Sequence, residues 1–186
     1  MTTETVAIAE WRALDRDGRD QCRLVRSDGG WMLVGHARFG EAEGRSRLDY
    51  VIRCDAEWHT QGADVSGVYR EKPVALCIKR SGNDWVLNDL PQPDVEGAVD
   101  IDLGFTPATN LMPLRRLCEV GRMQARAAWL RDPESGLQPL NQAYTRERGG
   151  LVRYEAEQTG FQTELKVSGD GFVTLYPGYW EAQTLP

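Results

Sequence analysis

Asp100 and Asp102 are the residues whose type and spacing most invite a chemical reading. They lie in the alternating run Ala98–Gly104, where Val99, Ile101 and Leu103 point one way and the two carboxylates the other. Two residues along a strand place the carboxylates ~7 Å apart. That spacing could serve a metal, or acid–base work together with Tyr144. The competing reading is a solvated face, or ion pairs with Arg115 and Arg116. No further oxygen-rich cluster or calcium-loop pattern accompanies the pair, so the second reading is preferred and no metal is expected.

The other reactive residue types add little. His36 and His59 are the only histidines, and neither sits in a recognisable motif. A nucleophile elbow, a phosphate-binding loop and a dinucleotide fingerprint are all missing, so no cofactor is expected and the enzyme reading stays secondary. Cys22, Cys54, Cys77 and Cys118 are widely spaced, with no Cys-x-x-Cys pair. They read as core thiols rather than a zinc or redox site. The start of the chain has no basic segment followed by an apolar one, so the expected compartment is a reducing cytoplasm.

Composition narrows the partners. With 28 acidic against 22 basic side chains the net charge is -6, which argues against a nucleic-acid surface. No apolar run approaches the ~18 residues of a membrane helix. A length of 186 residues suits one domain, taken here as 1–186.

The elements that must position these residues are short strands. Gln21–Ser27, Trp31–Phe39, Leu48–Asp55, Val65–Glu71, Val74–Arg80 and Trp85–Asn88 follow one another through Gly, Asp, Asn and Pro turns. Pro91 and Pro93 mark a connector. After residue 121, Arg122–Arg131, Leu140–Arg146, Leu151–Gln158, Phe161–Val167 and Phe172–Tyr176 continue the series. KRSGNDWV at 79–86 and KVSGDGFV at 166–173 match in residue class, through a duplicated hairpin or convergence on good turns. The pattern predicts a curled antiparallel sheet forming a partly open β-barrel or roll of about a dozen strands.

One stretch interrupts it. Thr106-Pro107 stops the strand that carries the aspartates, and Asn110 is a suitable N-cap. Pro113 fits a first helical turn, and Gly121 ends the element. Leu111, Leu114, Leu117 and Cys118 form an apolar stripe. The expectation is one short helix at about 110–120, too short to stand alone and therefore packed on or in the barrel, with the stretch read as its mouth or lid.

The same stretch carries a resemblance. Asp100-x-Asp102-Leu103-x-Phe105-Thr106-Pro107-x-Thr109-Asn110 and Pro113-Leu114-Arg115-Arg116-Leu117 resemble the signature of the putative glycolipid-binding family of bacterial proteins. Further matches fall at Tyr50, at Trp58-x-Thr60, at Ala128-Trp129-Leu130, at Gln138-Pro139-Leu140 with Gln142 and Tyr144-Thr145-Arg146, and at Tyr176-Pro177-Gly178 with Trp180. The resemblance implies a curled, mostly antiparallel barrel and a lipid or glycolipid ligand, with no catalytic set to carry over.

The function expected is therefore non-catalytic binding of a lipid, glycolipid or other amphipathic molecule in a barrel cavity. An enzyme using Asp100, Asp102 and Tyr144, or a protein-interaction module, is the alternative. Candidate ligand-binding residues are Asp100, Asp102, Thr106, Thr109, Asn110, Arg115, Arg116, Trp129 and Tyr144, with the two arginines holding a phosphate, sulfate or sugar hydroxyl at the mouth.

Overall fold

A computed structural model describes residues 3–183. Its fifteen strands form a single sheet. Strands β1 (Glu4–Ala13), β2 (Gly18–Ser27), β3 (Gly30–Glu41), β4 (Gly44–Cys54), β5 (Thr60–Tyr69), β6 (Lys72–Ser81), β7 (Asp84–Leu87) and β8 (Leu90–Pro91) run as a meander of hairpins. After a connector come β9 (Asp100–Leu103) and the helix α1 (Leu111–Arg116). Strands β10 (Gly121–Leu130), β11 (Leu137–Arg146), β12 (Leu151–Ala156), β13 (Phe161–Val167), β14 (Val173–Tyr176) and β15 (Trp180–Ala182) form a second meander.

The meanders join where β1 pairs with β15, through Trp11↔Ala182, Arg12↔Glu181 and Ala13↔Trp180. Every pairing is antiparallel except that of β9 with β10. β8 and β9 are the two outer strands, so the sheet curls without closing into a barrel. The β9 end of the curl comes close to the start of β5: the Thr60 amide donates to the Val99 carbonyl at 3.0 Å, and the Ile101 amide donates to Thr60 Oγ1 at 3.0 Å.

The stretch expected at the mouth is instead the filling of the curl. Residues 105–114 are buried without a break. Phe105, Ala108, Leu111 and Met112 pack with Leu24, Leu33, Tyr50, Ile52 and other residues of the first meander. Leu114 and Leu117 pack with Ala125, Ala127, Leu140, Tyr144 and Tyr154 of the second. A large sheet curled this way leaves an interior that side chains must fill, and this segment fills it.

The helix is shorter than expected. α1 spans six residues after a 3-10 turn at Ala108–Asn110, and Leu117 is already extended. Asn110 is itself helical and makes no side-chain cap, because its amide is used in the interior. Gly121 does not end the helix but opens β10, at φ +151°. Cys22 and Cys54 are core thiols as expected, whereas Cys77 is half-buried and Cys118 exposed; all four are free.

Candidate functional site

Strand β9 sits between two packed regions, and its alternation decides what each face meets. Ile101 and Leu103 enter the core of the first meander. Asp100 pairs in register with Ala127 and Asp102 with Trp129; Asp100 meets Arg116 beside the Trp58 turn, and Asp102 meets Gln142 of the second meander. Neither lies on a solvated face.

Asp100 is 1% exposed and has a partner. Arg116 clasps it with two parallel bonds, Nη1–Oδ1 at 2.8 Å and Nη2–Oδ2 at 2.5 Å, and also donates to the Trp58 carbonyl at 2.8 Å. Burial pushes the Asp100 carboxyl above its usual range, and the guanidinium pulls the other way. A bidentate pair of this kind fixes geometry as well as charge. It ties β9, α1 and the Trp58 turn together, as the expected ion pairing between aspartate and arginine.

Asp102 is placed differently. It accepts from Gln142 Nε2 at 2.6 Å and from Thr109 Oγ1 at 3.4 Å. Burial raises its pKa to about 6, the two hydrogen bonds lower it, and the neighbouring Asp100 raises it. No cation is within ion-pairing distance among the described residues. An ionised carboxylate has about four acceptor positions, so capacity remains. Behind it, Asn110 Nδ2 donates to Tyr144 Oη at 2.9 Å, and Gln142 Nε2 also donates to Tyr154 Oη at 3.0 Å.

Asp102 opens onto a cleft of about 510 Å³ between the 102–110 stretch and strands β10–β15. Thr106, Asn110 and Trp129 also line it. Its wall is aromatic: Tyr154, Phe161, Tyr176, Tyr179 and Trp180 contribute, with Tyr176–Tyr179 and Phe161–Tyr179 ring centres each 5.4 Å apart. A larger depression of about 710 Å³ over β10–β13 is lined mainly by polar side chains, some of which are paired. Arg122 pairs with Glu155 at 3.4 Å, and Asn141 donates to Glu157 at 2.9 Å.

Of the nine expected site residues, the structure brings Asp102, Thr106, Asn110 and Trp129 to the cleft. Thr109 and Tyr144 stand behind it, bonded to Asp102 and Asn110. Asp100, Arg115 and Arg116 do not line it. Arg115 is exposed and lies over the Trp58 ring at 5.1 Å. Neither arginine is positioned as the mouth clamp that the sequence suggested. Both histidines are elsewhere too, paired with Asp49 at 2.5 Å and Asp55 at 3.4 Å. Among the described residues no three His, Cys, Asp or Glu side chains group as a metal site requires.

Thr106 links the cleft to a second buried carboxylate. Its hydroxyl donates to Asp20, which also accepts from Tyr50 Oη at 2.9 Å. Sequence reasoning missed Asp20 as well as the aromatic wall. In the sequence Gln142, Tyr176 and Trp180 stand out as parts of the resemblance, and Gln142 and Tyr176 of predicted strands, with nothing that marks them as lining a site.

A family model described as "Putative glycolipid-binding" matches residues 8–182. The chain belongs to that family. It is also similar to the crystal structure of a DUF1089 family protein from Pseudomonas aeruginosa, at 28% identity and a TM-score of 0.76. That match covers 88% of this chain and 91% of the other. No curated protein matches the chain. In this glycolipid-binding family member, the signature residues Asp100, Thr106, Thr109 and Asn110, which are buried, and Asp102 and Arg116, which are half-buried, supply polar bonds that hold the central segment in the curl.

Proposed function

We propose that the chain is a non-catalytic binding protein for an amphipathic small molecule, a lipid or glycolipid, held in the cleft beside Asp102. The observation that carries this reading is the cleft itself. At about 510 Å³ it lies within the ~300–1,000 Å³ usual for small-molecule sites, with an aromatic wall and a few convergent polar groups. Tyrosine and tryptophan offer large apolar faces with polar tips, which suits a ligand that is apolar at one end and polar at the other. The family's description points the same way.

On this reading Asp102, Thr106, Asn110 and Trp129 touch the ligand, and Thr109 and Tyr144 position them. Asp100, Arg115 and Arg116 are assigned to holding the fold. The catalytic alternative has less support. Asp102 has an acid–base-ready pKa, yet Tyr144 is engaged with Asn110 and no second titratable partner lines the cleft with it apart from tyrosines.

Delipidated protein titrated with a fluorescent fatty acid, and examined by native mass spectrometry with lipid extracts, tests the proposal. Saturable binding at one site is expected, weakened at least tenfold by Phe161→Ala or Trp129→Ala, a loss of about 1.4 kcal/mol. Absence of both fluorescent binding and a mass adduct would remove it.

A further inference from the structure

We propose a second binding site, apart from the aromatic cleft: a row of arginines on the outer face of the first meander that takes a small molecule carrying two or three contiguous phosphate groups. Its centre is Arg19, Arg38 and Arg47, on β2, β3 and β4, with Arg45 beside them. The site shares no lining residue with the cleft, so it stands or falls apart from the lipid reading.

Strand register builds the row. Arg19 pairs directly with Arg38, and Arg38 directly with Arg47. All three are exposed, while their chain neighbours Asp20, Ala37 and Leu48 are buried on the opposite face. Neighbouring strands lie ~4.8 Å apart, so the row is roughly 10 Å long. Arg12 continues it by one strand but is paired with Glu181 at 2.9 Å. Among the described residues, the guanidiniums of Arg19, Arg38, Arg45 and Arg47 have no ion pair or hydrogen bond, whereas those of Arg16, Arg53, Arg70 and Arg116 each have a carboxylate. Like charges directly opposite one another destabilise a sheet. With 28 acidic side chains in the chain, the row is nonetheless left without one. An anion lying along it removes the repulsion.

The lining sets the class of anion. The four arginines border a depression of about 520 Å³, with Asp17 and Glu71 as its only carboxylates. Glu71 accepts from the Arg45 backbone amide at 3.1 Å rather than from a guanidinium. Four cations against two anions leave the depression positive in a chain of net charge -6. Guanidinium forks match phosphate oxygens two at a time, and forks ~4.8 Å apart converge on phosphates joined to one another. Acidic side chains on one face of an extended peptide recur only every ~7 Å and fall out of step with the row. A single nucleic-acid strand needs rings on which bases stack, and the one ring on the lining, Phe39, is buried. A bilayer surface meets no exposed apolar side chain there, since Val68 is half-buried. A compact oligophosphate fits the row.

Calorimetric titration at low ionic strength with tripolyphosphate, pyrophosphate, orthophosphate and citrate tests the site. Tripolyphosphate and pyrophosphate are expected to bind at one site, at least tenfold tighter than orthophosphate or citrate. Arg38→Gln, at the centre of the row, is expected to weaken tripolyphosphate at least tenfold, and Arg38→Lys, which keeps the charge but not the fork, about threefold. Arg53→Gln, on β4 but paired with Asp64 at 2.7 Å, should leave binding unchanged, as should Trp129→Ala in the cleft. Adenosine triphosphate binding as tightly as tripolyphosphate supports a site for the phosphates of a nucleotide; binding at least tenfold weaker supports a site for an inorganic chain. Stability gives a second readout. Without anion, the urea midpoint of Arg38→Gln at low salt should equal or exceed that of the wild type, because the variant relieves repulsion. Tripolyphosphate should then raise the wild-type midpoint and not that of the variant. No saturable heat with tripolyphosphate, citrate binding as tight, or full affinity in Arg38→Gln overturns the proposal. Arg38-dependent sedimentation with phosphatidylglycerol vesicles, when tripolyphosphate does not bind, overturns it in favour of a membrane surface.

Discussion

Asp20 is the residue whose energetics can be read most directly. It is 2% exposed, it accepts from Tyr50 and Thr106, and no cation among the described residues bonds to it. Burial raises its pKa from 3.8 to about 6, against the pull of those two hydroxyls, a backbone bond and His36. The folded state therefore holds a proton that the unfolded state has already released. Stability from this group is full below about pH 4, falls as pH rises, and is lost above about pH 6. A shift of this size corresponds to roughly 3 kcal/mol. Urea midpoints for the wild type and Asp20→Asn should therefore converge near pH 4 and separate towards pH 7, with the variant the more stable. The Tyr50 and Thr106 hydroxyls can turn to accept from the amide of that variant. A difference that is flat with pH, or of opposite sign, would contradict the assignment. Sequence alone showed the alternation that turns Asp100 and Asp102 to one side. It could not show that one meets a guanidinium and the other an amide, because that depends on how the helix end 16 residues away and strand β11, 40 residues away, pack against β9. Asp20 was wholly hidden, its partners lying 30 and 86 residues along the chain.

At the scale of elements, Gly35 shows how strands β3 and β4 admit this cluster. Gly35 pairs directly with Tyr50. A Cβ at Gly35 would overlap the Tyr50 ring and lie 2.7 Å from the Gln21 carbonyl oxygen, so the missing side chain is the space through which Tyr50 reaches Asp20. Gly35→Ala should destabilise by about 1–3 kcal/mol, as overpacking does. Gly29→Ala, where the added carbon meets nothing within 4 Å and φ is ordinary, should change stability by less than about 0.5 kcal/mol. Chemical denaturation of the two variants side by side checks this, and equal effects would show that Gly35 is not a clearance site. The hairpins of the first meander were legible because strand period and turn residues agreed. β1 was not, because its inward positions include the small Ala7 and Ala9 while Val6 and Ile8 face outward at 47% and 44% exposure. β15 is only three residues long and carries no periodic signal. The helix was overextended in the sequence reading because the stripe Leu111, Leu114, Leu117 and Cys118 continues past Leu117, where the backbone is already extended.

At the scale of the molecule, the central segment makes the two meanders depend on each other. Their direct pairing at β1 and β15 spans three residue pairs, reinforced by the Trp11 indole donating to the Val173 carbonyl at 2.6 Å. The larger connection is the segment 95–117, which gives Leu111 and Met112 to one core and Leu114 and Leu117 to the other. Deleting either contribution leaves a cavity in one core and loosens the segment that the other core also grips. Leu111→Ala and Leu114→Ala should therefore each cost about 2–5 kcal/mol. Each should also shift one common transition, with tryptophan fluorescence and far-ultraviolet circular dichroism giving the same urea midpoint. Six tryptophans lie in both meanders, at Trp11, Trp31, Trp58, Trp85, Trp129 and Trp180, so fluorescence reports on the whole sheet. If the Leu114 variant instead split the curve, with the first meander melting at its original midpoint, the halves would be independent and the segment only a tether. Coincident curves would mean that the segment sequence reading placed at the mouth is what makes the curled sheet fold as one body. The cleft beside Asp102 would then inherit its rigidity from both sides.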